Sequence, residues 1–228
     1  MAGAGTAYHV RYGDVERLAD YYPFEPVGRT WEYVVTELGP GAGMSRTGIA
    51  TFTVLGPSEL NGKPTVVVTV NRQMGGMPNE PGAKVIVRNH FVVTPEQIQQ
   101  LAVEWTDSFN PMQHGRVTYT PPITVGRLPL TPGGTWEAST QIQSPREGEP
   151  DFRADSKRYV RVIGKETVVV PAGRFEVVRL EVKTSSTRVG GTRATESTRV
   201  EWRARGPGLV RLTEGPFELA LKSHNDKP

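Results

Sequence analysis

The sequence predicts an all-β protein: a strongly curved antiparallel sheet, a half-barrel or open barrel, built from two related halves. Three observations carry this. About a dozen segments rich in β-branched and aromatic residues follow one another, joined mostly by short turns, a pattern of antiparallel β rather than βαβ. Gly (25) and Pro (19) make up about 19% of the 228 residues against a usual ~12%, which favours many turns over long helices. A turn-and-strand motif also occurs twice, in order.

The elements can be justified along the chain. Residues 1–20 form an N-terminal arm in which Val15–Tyr22 has the length for a helical turn or two. Strand-like runs follow at Thr30–Glu37, Thr47–Val54, Thr65–Val70 and Ala83–Val93, separated by Gly39-Pro40-Gly41, Asn61-Gly62 and Pro81-Gly82. Thr94–Gln97 fits a capping box that would open a helix with Ile98, Leu101, Ala102 and Trp105 on one face. The same residues read as a hairpin turn leading into a strand from Ile98 to Trp105, and the neighbourhood favours the strand. Further strands are expected at Gly115–Thr120, Thr135–Gln143, Arg158–Ile163, Arg174–Lys183, Thr195–Arg205, Leu209–Thr213 and Phe217–Lys222. Residues 223–228 are a polar, frayed tail.

One hairpin can be registered. Folding the chain about Gly190 sets Leu180 opposite Val200, Val178 opposite Trp202, Arg179 opposite Glu201 and Glu181 opposite Arg199, so that like pairs with like. The apolar phase switches from Phe175/Val177 to Val178/Leu180, which a β-bulge near Val177-Val178 would explain.

The repeat is sharper. Pro23–Glu32 recurs as Leu128–Glu137, with Gly28 matching Gly133 at an offset of 105. Val54-Leu-Gly56 recurs as Val162-Ile-Gly164 at an offset of 108, and Gly62 matches Gly173 at 111. Each half reads as a Pro/Gly turn, a Trp-bearing strand, a strand ending near Val-x-Gly and a Gly-started strand. Pro121–Leu130 is too apolar for a solvated linker and reads as an extended segment docked on a surface. Residues 21–222 are therefore expected to form one β domain, with pseudo-repeats of about 21–120 and 121–222.

Chemistry is mostly excluded. With no cysteine, disulfide scaffolds, thiolate metal sites and cysteine nucleophiles are ruled out. No apolar run reaches the ~18 residues of a spanning helix. A net charge of +3 gives no basis for nucleic-acid binding. Arginines alternate with apolar and acidic residues, as in Arg199-Val-Glu-Trp-Arg203, which reads as the solvated face of a strand; the competing reading is a surface for an anionic ligand or phospholipid headgroup. His9, His90, His114 and His224 lack metal-site spacing, and neither a Gly-x-Ser-x-Gly elbow nor a phosphate-binding glycine loop is present. The acidic run Glu147–Asp155 reads as a solvated hairpin tip, and Met74, Met77 and Met112 as loop residues at the mouth of an apolar site or there by chance. No cofactor, metal or catalytic residue is expected.

Tyr21-Tyr-Pro-Phe-x-x-x-Gly28-x-x-Trp31-x-Tyr33, the run Pro121–Trp136, the strand start Val168–Leu180 and Gly206-Pro-Gly-Leu-Val210 resemble motifs of poorly characterised bacterial envelope proteins, many of them lipoproteins. Such proteins resemble the half-barrels of the lipoprotein-carrier group (the LolA and LolB proteins), in which a curved sheet shelters an apolar groove. The resemblance implies a non-catalytic protein of the cell envelope or periplasm that binds a hydrophobic ligand or lipidated partner, with Trp31, Trp136 and Trp202 in or behind the apolar concave face. The alternative is a structural or protein-interaction module without a small-molecule ligand. A cavity of roughly 300 Å³ or more favours the carrier and a solid interior the module. The start, Met1–Tyr8, has no charged n-region leading to an apolar stretch, and there is no lipobox cysteine. It reads as a cytoplasmic N-terminus or as one left after removal of an export signal.

Overall fold

Antiparallel pairing runs without interruption around the chain and brings its two ends together. In the computed structural model, residues 17–39, 45–75, 84–107, 114–145 and 151–225 are described. A short helix, α1 (Leu18–Tyr21), precedes β1 (Thr30–Leu38), β2 (Ser45–Leu60), β3 (Lys63–Met74), β4 (Lys84–Val93), β5 (Gln97–Asp107) and β6 (His114–Arg127). There follow β7 (Thr135–Ser144), β8 (Phe152–Val170), β9 (Gly173–Arg188), β10 (Ala194–Ala204), β11 (Gly208–Glu214) and β12 (Phe217–Asn225). Each strand pairs with its sequence neighbours, and β12 returns to pair with β1 from Thr30↔Asn225 to Glu37↔Phe217. The fold is a closed twelve-stranded antiparallel barrel, so the expected half-barrel or open barrel is closed by this last pairing. Bulges in β1–β12, β2–β3, β4–β5, β5–β6, β8–β9 and β10–β11 supply the curvature, and closure removes both free edges.

One alternative is resolved, in favour of the strand, and three sequence readings change in detail. Residues 97–107 are strand, and the helix-like spacing of Ile98, Leu101 and Ala102 comes from a bulge: His90 pairs with Ala102 and Phe91 with Gln100, leaving Leu101 unopposed. The β9–β10 hairpin is shifted by one residue, with Leu180 opposite Glu201, Arg179 opposite Trp202 and Val182 opposite Arg199. A one-residue slip exchanges the faces, so Glu201 joins Leu180 on the inside. The bulge expected near Val177-Val178 lies instead in the neighbouring strand, between Val162 and Gly164. Finally, Pro121–Arg127 is not a docked segment but the end of β6, where Ile123 pairs with Gln100 and Arg127 with Gln97.

The matched turns carry matched geometry. Gly28 and Gly133 both adopt φ of 84°, a left-handed conformation that glycine takes without steric cost. Gly28 N–H donates to Val54 O at 2.8 Å and Gly133 N–H to Val162 O at 2.9 Å. Each accepting valine is followed by a bulge, which leaves Leu55 and Ile163 as exposed extra residues.

β6 and β7 pair over only three residues, Thr118–Thr120 with Gln143–Gln141. Past this seam, side-chain hydroxyls take up β6 carbonyls: Thr140 Oγ1 donates to Pro121 O at 2.6 Å and Tyr22 OH to Val125 O at 3.1 Å. Tyr22 belongs to the N-terminal segment, which enters one end of the barrel. Leu18, Tyr21 and Tyr22 are buried there with Ile98, Leu130, Trp136, Val160, Val162 and Leu180. Gly206 N–H donates to Asp20 O at 2.8 Å, fixing this plug to the β10–β11 turn. A Cβ on Gly126 would lie 2.7 Å from the Tyr22 ring, so only glycine lets the ring rest on β6.

In β8, Ala154, Ser156, Arg158, Val160 and Val162 are buried, and between them Arg153, Asp155, Lys157 and Arg161 are exposed. That charged exterior is the reverse of the apolar outward band of a membrane barrel. No helix among the described residues is long and apolar enough to cross a membrane.

Candidate functional site

Strand alternation places Trp31 and Tyr33 of β1, Phe52 of β2 and Val68 of β3 on the inner face, and together they line a cavity of about 220 Å³. Phe91 adds to it, stacked on Phe24 of the plug with ring centroids 4.9 Å apart, and Tyr33 meets Phe52 edge-on at 4.8 Å. Leu209 and Leu212 of β11 complete the apolar wall. Tyr33 OH is satisfied outside the cavity, donating to Leu209 O at 2.8 Å. Asn89 and Gln100 make a small amide patch, with Gln100 Nε2 donating to Asn89 Oδ1 at 2.9 Å.

The opposite wall is ionic. Arg199, Glu201 and Arg203 are alternate residues of β10 and all line the cavity. Glu201, 3% exposed, accepts from both arginines: Arg199 Nη2 at 2.8 Å, Arg203 Nη2 at 2.7 Å and Arg203 Nε at 2.9 Å. Burial alone would raise the Glu201 carboxyl, but Arg203 and Arg199 outweigh it and hold the pKa down at about 2. Arg203 also lies 3.8 Å from the centre of the Tyr22 ring. Burial pushes the Tyr22 hydroxyl up to about 12 and raises that of Tyr33 as well. The expectation that Arg199–Arg203 forms a solvated strand face is therefore reversed for the charged residues, and Val200 and Trp202 face out.

Arg158 of β8 is buried opposite Thr184, beside the cavity lining and within electrostatic reach of Arg199 and Glu201. It is 9% exposed, and its Nε and Nη1 have no hydrogen-bond partner among the described residues. Burial first, then the like charge of Arg199, pushes its pKa down to about 10.

The three tryptophans singled out from the sequence are dispersed. Trp31 lines the cavity, 5.3 Å beneath the Arg29 guanidinium, and its buried Nε1 has no partner among the described residues. Trp136 also points inward, beside Val160, but belongs to the plug cluster and does not line the cavity. Trp202 lies on the outer face between Arg179 and Arg211, its indole N–H donated to Glu166. The far end of the β8–β9 hairpin supplies that Glu166, and its Ala172 N–H donates to Leu221 O at 3.0 Å. Phe52, Phe91, Arg158 and the inward side of Glu201 were missed by sequence reasoning. The two-residue spacing of Trp31 and Tyr33 marks the right face of β1, but nothing local identifies which strands face it across the barrel.

A second depression of about 300 Å³ lies on the outer face, by Leu55, Val67, Arg88, His90 and Glu104. Although larger, it offers only Leu55, Pro57 and Val67 as apolar lining, against the aromatic and leucine wall of the interior cavity, which is the better candidate. His90 Nε2 is 3.5 Å from Glu104 Oε2 there. Among the described residues no three metal-ligating side chains converge. Of the loops noted in the sequence, residues 40–44, 76–83, 108–113 and 146–150, which include Met77, Met112 and Glu147, lie outside the described residues, as do 1–16 and 226–228.

The barrel has a solved counterpart. A candidate lipoprotein from Parabacteroides distasonis ATCC 8503 matches with a TM-score of 0.50 at 14% identity, over 89% of this chain and 98% of that one. A candidate exported protein with a YmcC-like fold from Bacteroides fragilis NCTC 9343 gives 0.49 at 12% identity, over 89% and 97%. No family model and no curated protein matches the chain. At such identity the likeness is one of fold.

Proposed function

We propose that this protein is a non-catalytic β-barrel of the bacterial cell envelope that holds a hydrophobic ligand, or the hydrophobic part of a partner, inside the barrel. The observation that carries the reading is the interior cavity of about 220 Å³ walled by Trp31, Tyr33, Phe52, Phe91, Leu209 and Leu212. A dry apolar cavity of about 150 Å³ is known to accept benzene, so this one takes a single ring or a short apolar chain, not a whole phospholipid. The envelope location is supported by the fold shared with a candidate lipoprotein. One observation favours the alternative of an interaction module: the cavity lies below the ~300 Å³ at which ordinary ligand pockets begin.

Native mass spectrometry of protein purified from cells, with tryptophan fluorescence during titration with 1-octanol, separates the two. The ligand reading expects a co-purifying mass or a saturable fluorescence change that Trp31→Phe alters. Neither a bound mass nor a saturable change would leave the module.

A further inference from the structure

The interior changes character along the barrel. From the plugged end, β9 presents Val178, Leu180, Val182, Thr184 and Ser186 on its inner face, and β8 presents Val162, Val160, Arg158, Ser156 and Ala154. On β10 the corresponding order is Arg203, Glu201, Arg199 and Ser197. On β8 and β9 the apolar floor gives way to Arg158 and then to hydroxyls, among them Ser186 Oγ, which donates to Ser156 Oγ at 2.9 Å, while the charged row of β10 stands beside that floor, Arg203 opposite Val178 and Arg199 opposite Val182.

These charges are unbalanced. Among the described residues Glu201 is the one carboxylate in the cavity wall, and it is shared by Arg199 and Arg203. Arg158 makes the third cation, and among the described residues its Nε and Nη1 have no partner; Tyr22, Arg199 and Glu201, which line the cavity, are within its electrostatic reach. Arg199 Nε is also buried without a partner among the described residues. A buried guanidinium stripped of water and left unpaired is costly, whereas an anion at that depth would satisfy it. Arginine also offers the planar donor fork that suits carboxylate and phosphate oxygens.

We infer that the barrel takes an amphipathic anion, its acidic head received by Arg158 and Arg199 and its apolar body against Trp31, Phe52 and Phe91. The inference rests on the hydrophobic-ligand reading and names the class of ligand. The head faces the hydroxyl-lined end and the body faces the plug, because Arg199 lies farther from the plug than Arg203 on β10.

The test uses the full chain, titrated by calorimetry at pH 7.5 with sodium octanoate, 1-octanol and inorganic phosphate. Octanoate is expected to bind at least roughly tenfold tighter than octanol, as a charge-assisted hydrogen bond implies, and phosphate alone not measurably. Arg158→Met should remove the preference for octanoate over octanol, and Arg158→Lys should restore part of it. Arg161→Met, an exposed neighbour on the outer face, should change nothing. The Tm of unliganded Arg158→Met should rise, because a buried unpaired charge is removed; a fall would show that Arg158 serves the fold and would overturn the assignment. Equal binding of octanol and octanoate overturns the anion inference and leaves the hydrophobic reading standing. Binding of neither overturns both, and binding of phosphate as tight as octanoate shows a plain anion site, which also overturns the inference.

Discussion

Glu201→Gln removes the carboxylate that Arg199 and Arg203 share in the cavity wall and leaves the two arginines facing each other across a neutral amide. The folded-state pKa is about 2 against an ordinary 4.5, a depression of about 2.5 units. At about 1.4 kcal/mol per unit this corresponds to about 3 kcal/mol of stability at neutral pH. The group is depressed, so its contribution is complete above pH 4.5 and is lost as pH falls towards 2. Removing one partner of a buried pair typically costs ~3–5 kcal/mol, which agrees with the linkage value. Urea unfolding of the parent and the variant at pH 7, 5, 4 and 3 measures the difference directly. The gap should stay near its full value at pH 7 and 5 and narrow steadily at 4 and 3. Other carboxylates titrate in the same range, but they are common to both proteins and cancel in the difference. A gap that is the same at pH 7 and pH 3, or that is under about 1 kcal/mol at pH 7, would refute the placement of a charged Glu201 between two arginines.

Three further outcomes test the frame around the cavity. Leu221→Ala, at a fully buried inward position of β12 next to Tyr33 of β1, should cost about 2–5 kcal/mol in chemical unfolding. Gly28→Ala and Gly133→Ala have open space for a methyl group but keep a φ of 84°, so each should cost about 1–2 kcal/mol and the two costs should be similar; a neutral result at either would show that its turn does not require the left-handed conformation. Gly126→Ala should cost about 1–3 kcal/mol by driving the Tyr22 ring off β6, and should expose the N-terminal segment to limited proteolysis more than Leu221→Ala does.

The framework was readable because its signals are local. The Pro/Gly turns before Trp31 and Trp136 required a positive φ, and both glycines adopt it. Val54-Leu-Gly56 and Val162-Ile-Gly164 were recognisable as a recurring pair, and both are bulges. The signals were ambiguous where a bulge breaks strand alternation. One extra residue at Leu101 produces the i, i+3, i+4 spacing of a helix inside a strand. Closure itself was not readable either, because the pairing of β1 with β12 joins segments almost the whole chain apart and no local pattern encodes it.

The cavity was harder still, for a different reason. Matching charge with charge and apolar with apolar across β9 and β10 assumes that the inner face is uniformly apolar. Here it is not: Leu180 stands beside Glu201 and Val182 beside Arg199, both pairs facing inward. Ion pairs at such depth are seldom worth more than apolar side chains of the same volume. Three arginines and one glutamate are therefore a poor way to fill a barrel that needs only a core, and the excess cation adds cost rather than relief. Departures from local rules are expected where a fold serves something besides its own stability. The register error fell on that row because ordinary packing logic would have placed Leu180 opposite Val200, and this barrel instead sets a charged row of β10 beside the apolar floor of β9.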